Sequence, residues 1–140
     1  MMKRHELREQ LFLILFSLGF RGDEDPRELV LRYLDNMCEK KVTDAERAEI
    51  LKKIPDIAEK KNELDTAIGA VSEGWKLDRI GKAELNILRL ALYEMRYLED
   101  VPVKVAINEA VDLAKAYGDD DAPSFVNGIL AKLADKETEK

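Results

Sequence analysis

The stretch AELNILRLALYEMRYL, residues 83–98, decides the fold. Leu85, Leu88, Leu92 and Met95 recur at three and four residues, the spacing of one helix face, and Ile87, Ala91 and Leu98 widen that face. A half-buried strand would instead alternate at every second residue. Apolar around so much of its circumference, the segment predicts a central helix buried on most sides.

Working outward, the same period continues. Asp100, Val101 and Pro102 end this helix and open another, in which Ile107, Ala110, Val111 and Ala114 face inward until Tyr117 and Gly118 close it. Residues 119–123 read as an acidic turn. Phe125, Ile129, Leu130 and Leu133 then define a last helix that frays into a charged tail, residues 135–140.

Towards the N-terminus, Leu7, Leu11, Ile14, Leu15 and Leu18 form one apolar face, Phe12 and Phe16 a neighbouring stripe, and Gly19 is placed to stop the helix. Asp25 and Pro26 suit the cap and first turn of a second helix, with Glu28 able to reach back to the cap and Leu29, Tyr33, Leu34 and Met37 facing inward. Thr43 and Glu46 have capping-box spacing ahead of Ile50, Leu51 and Ile54. Pro55, which lacks a backbone donor, predicts a kink or restart there. Ile57, Leu64, Ile68 and Val71 carry the pattern to Gly74, with residues 59–63 at the surface or at a break. No run calls for a sheet. The expectation is an all-α, compact single-domain bundle of about seven helices spanning residues 1–140, with a mobile basic N-terminus.

A chain of 140 residues supports one ordinary core, and 46% hydrophobic against 37% charged residues is a globular balance. The longest apolar run, residues 11–18, is interrupted by Ser17 and preceded by Arg8 and Glu9, so no membrane span or secretory signal is expected. These features read as a cytoplasmic protein. Cys38, the only cysteine, fits a reducing compartment and reads as a half-buried small apolar side chain.

A net charge of -6 argues against wholesale wrapping of nucleic acid, so any basic site must be local. Cations gather only at Lys3, Arg4, His5 and Arg8. At a helix N-terminus they oppose the macrodipole, which points to a functional reason for their placement.

Catalysis is disfavoured by elimination. His5 is the only histidine, Ser17, Ser72 and Ser124 lack nucleophile-elbow context, and Gly69, Gly74 and Gly81 are too scattered for a phosphate loop. Asp119, Asp120 and Asp121 lack the alternation and central glycine of a calcium loop. The reading is no enzyme, no metal and no cofactor.

Six blocks then stand in order: Trp75-Lys76-Leu77-Asp78-Arg79-Ile80, Leu88-Arg89-Leu90-Ala91-Leu92-Tyr93-Glu94, Val101-Pro102, Ile107-Asn108-Glu109-Ala110, Ala114-Lys115 and Phe125-Val126-Asn127-Gly128. Together they resemble the NusB family of bacterial transcription antitermination factors. The specific part of the likeness covers close to half of the chain. The resemblance implies recognition of boxA-type RNA together with NusE, a small-subunit ribosomal protein. The pair is then expected to join the RNA polymerase elongation complex through other Nus factors, supporting ribosomal RNA transcription.

It also implies an RNA surface at Lys3, Arg4, His5, Arg8, Phe16 and Phe125, and partner contacts at Glu84 and Asp121. Compared with the family's arginine-rich N-terminal segment, this chain has fewer arginines and interleaves Glu6 and Glu9, predicting fewer phosphate contacts. Phe16 and Phe125 carry a competing reading as core packing. Arg89, Glu94, Asn108 and Glu109 read as interhelical pairs and caps, Trp75 as a loop anchor, Asn127 as a backbone-bonding residue, and Gly128 as a point of close helix contact.

Two other classes stay in view. A protein-binding adaptor or homodimer without selective RNA binding is favoured by the acidic charge. The RNA-binding module of a methyltransferase ranks last, because no cofactor-binding sheet follows.

Overall fold

In the computed structural model, residues 2–21, 25–37, 41–72 and 77–138 are described. The readings of Cys38, Gly74 and Trp75 lie outside these. The described residues form seven α-helices and no strand, as the periodicity predicts. The chain divides into two compact units, Met1–Lys60 and Lys61–Lys140.

The first unit contains α1 (Arg4–Arg21), α2 (Pro26–Arg32), a π-helical turn (Tyr33–Met37) and α3 (Asp44–Glu59). Helix α1 does not stop at Gly19 but runs two residues further. A glycine weakens a helix interior by only about 1 kcal/mol, so it does not end one by itself. Asp25 caps α2 by accepting from the Arg27 N–H at 3.1 Å. Leu29, Val30 and Tyr33 are buried, so the inward face is wider than its leucines suggest. The Tyr33 hydroxyl donates to Gln10 on α1.

The capping box forms in full. The Glu46 N–H donates to the Thr43 hydroxyl at 3.1 Å, and the Thr43 N–H donates to the Glu46 carboxylate at 2.9 Å. Helix α3 continues through Pro55, and the break comes instead at Lys60, whose N–H closes on the carbonyl of Asp56. Proline removes one bond from the ladder, while Ile50, Ile54 and Ile57, all buried, keep the helix seated on either side of it.

Glu46 has a further partner. The Met2 N–H donates to its second oxygen at 2.7 Å, which ties the start of the chain to α3. The Thr43 N–H, and then that of Met2, hold the Glu46 carboxyl below its ordinary value of about 4.5 despite opposing burial. A depressed folded-state value gives stability that is present above the unfolded value and lost as pH falls through the folded one. Thermal unfolding between pH 5 and pH 3 should therefore show a steeper loss for the wild type than for Glu46→Gln. The glutamine keeps the capping-box geometry but has no proton to gain.

The second unit contains α4 (Lys61–Val71), a 3-10 turn (Leu77–Arg79), α5 (Lys82–Tyr97), α6 (Val103–Tyr117) and α7 (Ala122–Thr138). Helix α5 packs against α4, α6 and α7, and α7 also meets α4 and α6. Residues 86–88 and 90–94 are all buried, so the helix is enclosed on most sides as expected, while Leu85, Met95 and Leu98 of the predicted face are half-buried. On α6 the inward face is Ala106, Ala110, Leu113 and Ala114, a slight rotation from the sequence reading that leaves Ile107 and Val111 half-buried.

Helix α7 does not fray at residue 135. It extends to Thr138, and Glu137 accepts from Arg96 Nε at 2.7 Å. Its buried stripe is Ala122, Val126, Ile129, Leu130 and Leu133, which leaves Phe125 half-buried at the edge. Gly128 also departs from expectation: it is exposed, and a methyl group added there would meet nothing within 4 Å. Close packing does not require this glycine. Gly128→Ala should raise unfolding free energy by about 0.5 to 1 kcal/mol in a denaturant titration, because alanine is the better helix former.

Among the described residues no helix is long and apolar enough to cross a membrane. No buried side-chain nitrogen or oxygen among them lacks a hydrogen-bond partner.

Candidate nucleic-acid interface

At the start of α1, Lys3, Arg4 and His5 are exposed. Arg4 makes a two-pronged pair with Glu49 of α3, Nη1 to Oε1 at 3.2 Å and Nη2 to Oε2 at 2.9 Å. Glu49 also accepts from Lys53. Burial opposes its ionisation, but the hydrogen bonds from Arg4 and Lys53 outweigh that and hold its carboxyl below the ordinary range. The Arg4 side chain remains 57% exposed, so the pair adds little stability while cancelling part of the local positive charge. Among the described residues, no hydrogen bond or ion pair engages the side chains of Lys3 and His5.

Arg8 does not join that surface. It is only 6% exposed, because residues 8, 11, 12 and 15 share one helix face, and Leu11, Phe12 and Leu15 are all buried. This register sets Arg8 apart from the exposed group of Lys3, Arg4 and His5. Phe16 is half-buried, with its ring 5.9 Å from that of the buried Phe12, so it belongs in part to the apolar stripe.

The second unit brings three expected residues together. Glu84, Asp121 and Phe125 line one cavity of about 370 Å³, with Arg79, Ile80, Gly81, Asp119 and Ala122. Helix α5 supplies Glu84 from its first turn, the 3-10 turn supplies Arg79, the turn before α7 supplies Asp121, and the first turn of α7 supplies Phe125. Among the described residues, no hydrogen bond or ion pair engages the side chains of Arg79, Glu84 or Asp121. Asp119 accepts from the Asp121 N–H at 3.1 Å, which shapes the turn.

The cavity therefore offers acceptors, one guanidinium and an aromatic ring. Arg79, Gly81 and Asp119 were not singled out from the sequence as site residues. Arg79 lies in the first of the six ordered blocks, five residues before Glu84, and that position was the available signal. Among the described residues no group of three or more His, Cys, Asp or Glu side chains could hold a metal ion.

Arg89 is structural. Its Nε and Nη2 reach both oxygens of Asp65 on α4 at 2.6 and 2.9 Å, and Nη1 donates to Asn86. Asn108 and Asn127 are exposed, and Glu94 is buried.

A family model described as the NusB family matches residues 5–135. The chain belongs to the NusB family. The transcription antitermination protein NusB of Lachnoclostridium phytofermentans is 48% identical over 134 residues, covering 96% of this chain and all of that protein. That of Agathobacter rectalis is 44% identical, covering 95% of this chain and all of that protein. Among solved structures, T. maritima NusB superposes with a TM-score of 0.87 at 33% identity, covering 96% of this chain and 92% of that one. A NusB-family structure described as antitermination factors NusB and NusE in complex with dsRNA gives 0.80 at 32% identity, covering 96% and 99%.

Proposed function

We propose that this chain binds boxA-type RNA jointly with a NusE-type ribosomal protein, and that the pair joins elongating RNA polymerase through other Nus factors in support of ribosomal RNA transcription. The role is non-catalytic, and its place of action is the cytoplasm. The observation that carries the reading is the convergence of Phe125, Glu84 and Asp121 on one cavity, where the Glu84 and Asp121 carboxylates have no partner among the described residues. The solved NusB–NusE–dsRNA relative supports it.

The chemistry of the cavity favours a base over a phosphate. Single-stranded RNA is read by stacking on aromatic rings and by hydrogen bonds to base edges, and carboxylates accept from amino and imino groups. The same carboxylates repel phosphate. Lys3, Arg4 and His5 form a separate cationic patch suited to the backbone, with Arg4 partly neutralised by Glu49. Phe16 serves as a further stacking surface at the edge of its apolar stripe. Asp121 and Glu84 are assigned here to the RNA-facing cavity rather than to the protein partner.

Transcription through a terminator tests this directly. With RNA polymerase and the other Nus factors supplied, this chain plus NusE should raise read-through on a template carrying boxA and leave a scrambled template unchanged. Equal read-through on both templates would remove the antitermination reading.

A further inference from the structure

Glu84 occupies a position that only glycine neighbours permit. A Cβ built on Gly81 would collide with Glu84 Oε2, and one built on Gly118 would lie 3.0 Å from Glu84 Oε1. The carboxylate thus lies between two positions that have no side chain. Gly81 precedes α5 and Gly118 follows α6, both with negative φ, so the requirement is for space and not for an unusual backbone.

The two glycines differ in what a side chain would disturb. At Gly118 it would strike the Cβ of Ala122 and approach the carbonyl oxygen of Ala114 at 3.0 Å, both fixed by helices. At Gly81 every atom in the way belongs to the Glu84 carboxylate, the far end of a flexible chain. A methyl group at Gly81 would therefore spare the packing and push the carboxylate aside. That carboxylate lines the cavity and has no partner among the described residues.

We propose that Gly81 is a positioning residue for the RNA-facing cavity: by carrying no side chain it lets Glu84 hold an acceptor oxygen against the N–H-bearing edge of a bound base. The inference rests on the RNA reading above. Glu84 touches the base, and Gly81 acts only through Glu84. The Glu84 oxygen serves as an acceptor, so the group facing it is an exocyclic amine or a ring imino group.

The test uses the full chain with its NusE-type partner and labelled boxA-type RNA at fixed salt. Glu84→Ala should weaken binding about ten-fold or more, the loss of one charge-assisted hydrogen bond. Gly81→Ala should weaken it to a similar extent, and the double variant should be no weaker than Glu84→Ala alone. Gly81→Ser separates positioning from helix capping. Serine is a better N-cap than alanine yet brings the same Cβ, so it should bind as poorly as Gly81→Ala.

Wild-type binding by both Gly81 variants, while Glu84→Ala is weak, overturns the proposal and leaves the RNA reading standing. So does a Gly81→Ala loss that persists undiminished in the Glu84→Ala background. Variants that lose the protein partner rather than the RNA would show that the cavity holds protein, which overturns the RNA-facing role. A wild-type chain that does not distinguish boxA from scrambled RNA removes the RNA reading, and the proposal with it.

Discussion

Phe125→Leu, which keeps most of the side chain's bulk and removes its π face, is expected to weaken boxA-type RNA binding while leaving NusE affinity unchanged. Stacking of a base on an aromatic ring contributes about 1–3 kcal/mol, so the full truncation Phe125→Ala should lower affinity roughly 5- to 150-fold, with leucine in between. The prediction follows from register. Val126, one residue on, takes the buried position in α7, and Phe125 is turned towards the cavity lined by Glu84 and Asp121. Fluorescence anisotropy with each variant, alongside a partner-binding titration, measures both quantities. Unchanged RNA affinity together with a large loss of stability would make Phe125 a core residue only.

Arg89→Ala should have the opposite profile. Its side chain is 12% exposed and that of Asp65 16%, so removing Arg89 leaves a poorly solvated charge without its partner. Breaking such a pair costs about 3–5 kcal/mol when fully buried, and about 3 kcal/mol is expected for this partly exposed one. Replacing both residues, as Arg89→Met with Asp65→Leu, should recover most of the loss, because no orphan charge remains. Chemical denaturation of the two single variants and the double variant measures this. Arg89 lies in one of the blocks that carry the family resemblance, and a variant that kept wild-type stability but lost RNA would contradict its structural assignment.

The helices were legible because their signals are local. The period of residues 83–98, the capping box at Thr43 and Glu46, and the Asp25-Pro26 start each depend on neighbours within a turn or two, and each appears in the structure. What failed was competition between local and packing forces. Gly19 and Pro55 weaken helices that α1 and α3 nonetheless continue through. Helix α7 continues into the charged tail as far as Thr138, where Arg96, 41 residues before Glu137 in sequence, holds that carboxylate.

The site was legible in part. Glu84, Asp121 and Phe125 came from a resemblance, and the structure brings them to one cavity. Arg8 shows the limit of reading charge without register: a cation in the first turns suggests a surface, but its period places it with Leu11, Phe12 and Leu15. Gly81 could not have been found, since its role depends on where the Glu84 carboxylate lies.

The proposed function requires selective RNA binding that depends on a partner. It is tested most directly by the anisotropy of labelled boxA-type RNA against a scrambled control, titrated with this chain alone and then with NusE at fixed salt. Discrimination between the two RNAs should strengthen when the partner is present. Equal, weak binding to both RNAs by a demonstrably formed complex would contradict it, and would leave a protein-binding adaptor as the better description.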